Sequence, residues 1–122
     1  MEAGDLITYV TLPAPIAGSK QGYLKLRDRA SYEFALASAA VVLTISSGSI
    51  SRARIALGGV GTKPWRSVEA EHALTGKPAN DATFRQAADA ALRGAKPQSE
   101  NKFKIELAKR CLVHSLRMAT AT

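Results

Sequence analysis

Near Pro64 the hydrophobic period of the chain changes. Before it, apolar and polar residues alternate with the two-residue period of a strand; after it, apolar residues recur at the three- and four-residue spacing of a helix face. Strand-like and helical segments kept apart in this way argue for an α+β fold over alternating βαβ units. The expected architecture is an antiparallel sheet of three to four strands packed against a three-helix bundle.

The strand half reads as four segments. Leu6 to Leu12 alternates and is closed by Pro13 and Pro15, which predicts a first strand. A flexible stretch around Gly18 and Ser19 precedes a second strand, Gly22 to Arg27, with Leu24 and Leu26 on one face and Tyr23, Lys25 and Arg27 on the other. Phe34 to Ile45 is apolar on both faces, which predicts a central strand covered from both sides. The turn residues Ser46 to Ser49 lead into a fourth strand in a hairpin with the third, Ala53, Ile55 and Leu57 pointing one way and Arg52 and Arg54 the other.

The helical half reads as three elements. A helix over 65–75 is stopped by Gly76 and Pro78. The next is capped by Asn80 or Asp81 and carries Phe84, Ala87, Ala88, Ala91 and Ala95 as its stripe. The last starts from Ser99 as N-cap, with Phe103, Leu107, Ala108, Cys111, Leu112, Ser115, Met118 and Ala119 on its inner side. With 122 residues the chain is expected to be one domain over 1–122, strands in about 5–60 and helices in about 65–119.

Composition narrows the function classes. Apolar residues at 46% and charged residues at 22% are the balance of a globular protein. No stretch approaches the roughly 20 apolar residues of a membrane span, and the first residues lack a basic start and an apolar run. A soluble, cytoplasmic chain is expected, or a periplasmic one if exported with a partner subunit. Cys111 is the single cysteine, so neither an internal disulfide nor a thiolate metal site is available to it. The net charge of +7 raises a polyanion partner as one reading, but the basic residues are spread along the chain.

No motif completes a catalytic centre. Gly58-Gly59-Val60-Gly61-Thr62-Lys63 follows a strand and invites a phosphate-loop reading, but Thr62 precedes Lys63 and Pro64 follows it, which is not Walker spacing. A tight turn using glycines at positive φ accounts for the same residues. His72 and His114 lie on different helices without a second ligand at metal spacing. No serine sits in a Gly-x-Ser-x-Gly elbow.

An ordered series carries a family resemblance: Leu6-Ile7-x-x-Val10-x-Leu12-Pro13, Tyr23-x-Lys25 with Arg29, the Ala-rich run Phe34 to Leu43, and Arg54 to Val60 followed by Pro64 and Arg66. The series resembles the C-terminal domain of the FAD-binding medium subunit of molybdenum hydroxylases, the family of xanthine dehydrogenase, carbon monoxide dehydrogenase and bacterial aldehyde oxidoreductases. The match runs from about Asp5 to Met118, and Ser31 to Ala35 with Lys63 to Arg66 leans toward the aldehyde oxidoreductase branch.

The resemblance implies the same fold and a role in an oxidoreductase. Electrons pass from a molybdenum cofactor subunit through an iron-sulfur subunit to FAD, and the C-terminal domain covers part of the flavin. By position it implies Ile7, Tyr23 and Lys25 as flavin-side residues, with no catalytic or metal residue. The N-terminal FAD-binding domain, whose glycine-rich loops hold the pyrophosphate, is not in this sequence, so FAD binding is expected only with that domain and the chain alone is expected to be inactive. The alternative is a free-standing basic binding module for an anionic partner or nucleic acid.

Overall fold

The computed structural model of the chain describes residues 2–121. Four strands, β1 (Lys20–Leu26), β2 (Ala37–Ser46), β3 (Ser49–Gly58) and β4 (Trp65–Arg66), form one antiparallel sheet in the order β1-β2-β3-β4. Three helices follow, α1 (Val68–Leu74), α2 (Asp81–Ala91) and α3 (Phe103–Ala121). This is the expected architecture.

The β2/β3 hairpin turns on Ser47 and Gly48, both at positive φ, 50° and 76°. Two left-handed residues in succession make the turn whose twist matches that of the flanking strands. The resulting register sets Val41 opposite Ile55 and Leu43 opposite Ala53, so one face of the sheet is continuously apolar.

That face packs on α3, which buries Ala108, Cys111, Leu112, Ser115, Leu116 and Ala119 in the same cluster as Ala39, Val41, Leu43, Ile55 and Leu57. Gly22 lets α3 cross β1 closely: a Cβ there would lie 2.9 Å from the Ser115 carbonyl oxygen. Helices α1 and α2 add Ala70, Leu74, Phe84, Ala87, Ala88 and Ala91 to the core. Asn80 caps α2 by accepting the Thr83 N–H at 3.0 Å, and Ser67 caps α1 by accepting the Ala70 N–H at 3.2 Å.

The outer edge of β3 is covered by three different segments. Strand β4 pairs with Ala56 and Leu57. Ser67 N–H donates to the Ile55 carbonyl, and Gly76 and Lys77 exchange backbone bonds with Ile50. A covered edge offers no template to another chain.

Five expectations are corrected. Leu6–Leu12 is not a strand: no backbone hydrogen bond joins residues 6–12 to anything described, and their large side chains lie exposed. Its alternation is real, but a strand needs a ladder partner, and the segment finds none here. The third strand starts at Ala37, not Phe34, and its outer face is covered only in part: Ser38 is buried and Val42 and Thr44 half-buried, but Ala40 is exposed, while Ala39, Val41 and Leu43 on the other face are buried.

The helix expected over 65–75 begins at Val68, because Trp65 and Arg66 pair with β3 first. Ser99 does not cap the last helix, which starts at Phe103 after Asn101 and Lys102 have accepted the N–H groups of Lys104 and Ile105. On that helix Phe103 and Met118 face outward, and Leu116 takes a core place instead.

Candidate functional site

Side chains alternate across a strand, so the residues between the core positions project from the other face of the sheet. The register aligns them in two rows across three strands. One row is Tyr23, Ala40 and Ala56, continued by Arg66 of β4; the other is Lys25, Ser38 and Gly58. The floor is therefore made of small residues, bordered by Tyr23 and Lys25 on one rim. It is also tightly closed: a Cβ on Gly58 would come within 2.5 Å of Ser38 Oγ.

The loop between β1 and β2 folds onto the Lys25 rim. Lys25 Nζ donates to the Glu33 carbonyl at 2.6 Å. Arg29 braces the same loop, its N–H donating to Glu33 Oε2 at 2.9 Å and its guanidinium to the Tyr32 carbonyl at 2.7 Å. Leu36 N–H closes the loop on the Leu26 carbonyl. Tyr32 is held at a φ of 48°, and Tyr32 and Phe34 are 96% and 95% exposed. With Tyr23 at 62%, the molecule displays aromatic surface that its own core does not use.

Of the three residues singled out from sequence, the structure brings Tyr23 and Lys25 together on one face. Ile7 stands apart, exposed on the irregular N-terminal segment, with no ladder to β1. The opposite rim carries a charge cluster: buried Glu71 of α1 accepts from Arg66 at 3.0 Å through both oxygens, from Arg54 at 3.1 Å, and from the Ile55 N–H at 3.1 Å. Burial pushes the Glu71 carboxyl up, but the bonds from Arg66 and Ile55 and the charges of Arg66 and Arg54 outweigh it and hold it below the usual carboxylate range.

The Glu33 carbonyl, the Ser38/Gly58 floor and the Arg66 row escaped the sequence reading. Period-2 counting from Ala39 would have located Ser38 and Ala40, but the Glu33 bond depends on how the loop folds back.

The family model described as the CO dehydrogenase flavoprotein C-terminal domain matches residues 22–119. The chain belongs to that family. In this flavoprotein C-terminal domain, similarity extends to the FAD-binding subunit PaoB of an Escherichia coli K12 aldehyde oxidoreductase. The two are 46% identical over 118 residues, 97% of this chain and 34% of PaoB. It is 39% identical to the carbon monoxide dehydrogenase medium chain of Afipia carboxidovorans over 85 residues, 66% of this chain and 29% of that one.

Among solved structures the flavoprotein domain overlays carbon monoxide dehydrogenase of Hydrogenophaga pseudoflava with a TM-score of 0.83. That match has 33% identity and covers 90% of this chain and 39% of the other. The chain thus spans about a third of the curated relatives it matches. No helix among the described residues is long and apolar enough to cross a membrane.

The face fits the edge of a flavin in kind. A small-residue floor leaves room for a flat ring, Tyr23 offers a stacking surface, and Lys25 a cation; none of these residues resembles a pyrophosphate cradle.

Proposed function

We propose that the chain is the flavin-covering and subunit-contact domain of a molybdenum hydroxylase FAD subunit, acting with an FAD-binding domain, an iron-sulfur subunit and a molybdenum cofactor subunit. The observation that carries the reading is the Tyr23/Lys25 rim beside a small-residue floor, flanked by exposed Tyr32 and Phe34. Bound FAD supplies a ring able to take up electrons delivered by iron-sulfur centres. Lys25 sets a fixed positive charge on the face where negative charge would appear on reduction. The Glu33 carbonyl orients its ammonium, so the charge does not wander with a free side chain. Tyr23 contributes contact area and keeps water off the ring edge.

Ile7 and its neighbours belong to the same reading. The exposed Leu6, Ile7, Tyr9, Val10 and Leu12 are apolar surface of a size that a partner domain covers. By itself the chain has no turnover and no tightly held flavin. The experiment is co-purification with a family FAD-binding domain: FAD and both polypeptides should elute together in equal amounts, while the chain alone should be colourless. A yellow preparation of the chain alone, or no complex with the FAD-binding domain, contradicts the reading.

The nucleic-acid alternative receives no support from the arrangement of charge. Six of the 17 basic side chains, Arg54, Arg66, Arg85, Lys109, Arg110 and Arg117, are paired with carboxylates.

A further inference from the structure

We infer that the cleft between the glycine-rich turn after β3 and the segment joining α2 to α3 is a binding site for a phosphorylated small ligand with an apolar body. The cleft has a volume of about 320 Å³ and is lined by the turn Gly59 to Thr62, by Trp65, and by residues of the α2–α3 connection including Lys96, Asn101, Lys104 and Ile105. Neither Tyr23 nor Lys25 lines it, so the inference does not depend on the flavin-side reading.

The cleft is cationic. Its lining contains two lysines and no aspartate or glutamate. Neither lysine is in an ion pair among the described residues; Lys104 Nζ donates only to the neutral Gly59 carbonyl, at 2.7 Å. An uncompensated pair of ammonium groups in a concave site favours an anion.

The hydrogen-bonding inventory points the same way. The N–H groups of Val60, Gly61 and Thr62 have no protein acceptor among the described residues. Asn101 Oδ1 already accepts the Gln98 N–H at 2.7 Å, which leaves its amide NH₂ to donate. The lining thus carries backbone, amide and ammonium donors not taken up by protein acceptors, a set that suits the several acceptor oxygens of a phosphate group. Beside these donors Trp65 and Ile105 form an apolar wall, which suits the body of a phosphate monoester.

The sequence spacing that disqualified this turn as a Walker loop is immaterial here. Lys63, the lysine of the turn, does not line the cleft; Lys96 and Lys104 arrive from the far side of the chain. The turn is also held in place. Gly59 sits at a φ of 72° where a Cβ would come within 2.7 Å of the Ala35 carbonyl, and Lys104 fastens its own carbonyl.

Trp65 is the sole tryptophan, so its emission reads the cleft directly. Butyl phosphate titrated into the protein should change that emission saturably and bind more tightly than inorganic phosphate, while butanol and potassium chloride at matched ionic strength should do nothing. Lys96→Gln and Lys104→Gln should each weaken butyl phosphate about tenfold, and Lys77→Gln, outside the cleft, should leave it unchanged. Lys96→Gln carries the test if Lys104→Gln loosens the turn, because the Lys96 side chain has no partner to lose among the described residues. Equal responses to butyl and inorganic phosphate, a response reproduced by chloride, or equal affinity in Lys96→Gln and Lys77→Gln overturns the inference.

Discussion

Glu71 Oε1 accepts the backbone N–H of Ile55 at 3.1 Å, so a helix side chain occupies a place on the sheet edge that a strand would otherwise fill. Strand β4 covers only Ala56 and Leu57, and Glu71 satisfies the next donor along. Glu71→Ala leaves that buried N–H without an acceptor and two guanidinium groups without their carboxylate. The expected loss is about 2 kcal/mol, discounted because both arginines are substantially exposed. Urea unfolding should show a lower midpoint with an unchanged slope. Glu71→Gln, which keeps an acceptor for Ile55, should lose less.

The favoured ionisation of Glu71, its carboxyl held below the usual range, makes its contribution pH-dependent. A carboxyl held below its unfolded value stabilises the folded state above about pH 4, and that stabilisation is lost as pH falls through the folded value. The stability difference between the wild-type chain and Glu71→Gln should therefore be larger at pH 7 than at pH 3. Equal differences at the two pH values would show that the charge of Glu71 is immaterial.

Cys111 lies in the core, and burial pushes its thiol up to about 11. At neutral pH it is a protonated small hydrophobe, so a thiol reagent should react only as fast as the chain unfolds and completely in denaturant. The unfolded thiol ionises at lower pH than the folded one. Stability should thus fall as pH rises above about 9, and Cys111→Ala should flatten that part of the profile.

Gly22 is where β1 passes under α3. A methyl group there meets the Ser115 carbonyl, Val41 Cγ2 and Ala119 Cβ at 2.9, 3.2 and 3.3 Å, so strand and helix must part. Gly22→Ala should cost about 1–3 kcal/mol by overpacking. Gly94→Ala, which opens into free space, should stay within about 0.5 kcal/mol. Thermal melts of the two variants separate a packing constraint from a general glycine effect.

In the proposed flavin-side role Tyr23 and Lys25 have different effects. In the subunit reassembled with its FAD-binding domain, Lys25→Ala should lower the flavin reduction potential by removing a cation near the developing negative charge. It also frees the Glu33 carbonyl, while the fold should change little because the core does not include Lys25. Tyr23→Ala should increase FAD loss on dilution more than it moves the potential. A redox titration and a retention assay that both leave the variants unchanged would return the pair to ordinary strand surface.

What the sequence determined by itself was whatever depends on neighbours a few residues apart. The period of two placed Ala53, Ile55 and Leu57 on the core side of β3 and put Tyr23 and Lys25 on one face of β1; Asn80 or Asp81 signalled a helix cap, and Asn80 is the one that forms it. These follow from backbone geometry, which every residue carries with it. Tertiary structure alone decided the rest. Leu6–Leu12 has the pattern of a strand and remains irregular, because hydrogen-bonding a strand takes a partner that the pattern cannot name. Glu71 reads as an ordinary helix carboxylate until the fold lays it against Ile55, 16 positions away in the chain. Lys104 meets Gly59 across 45. Such contacts depend on which elements the packing of the core brings side by side, and no local spacing encodes that choice.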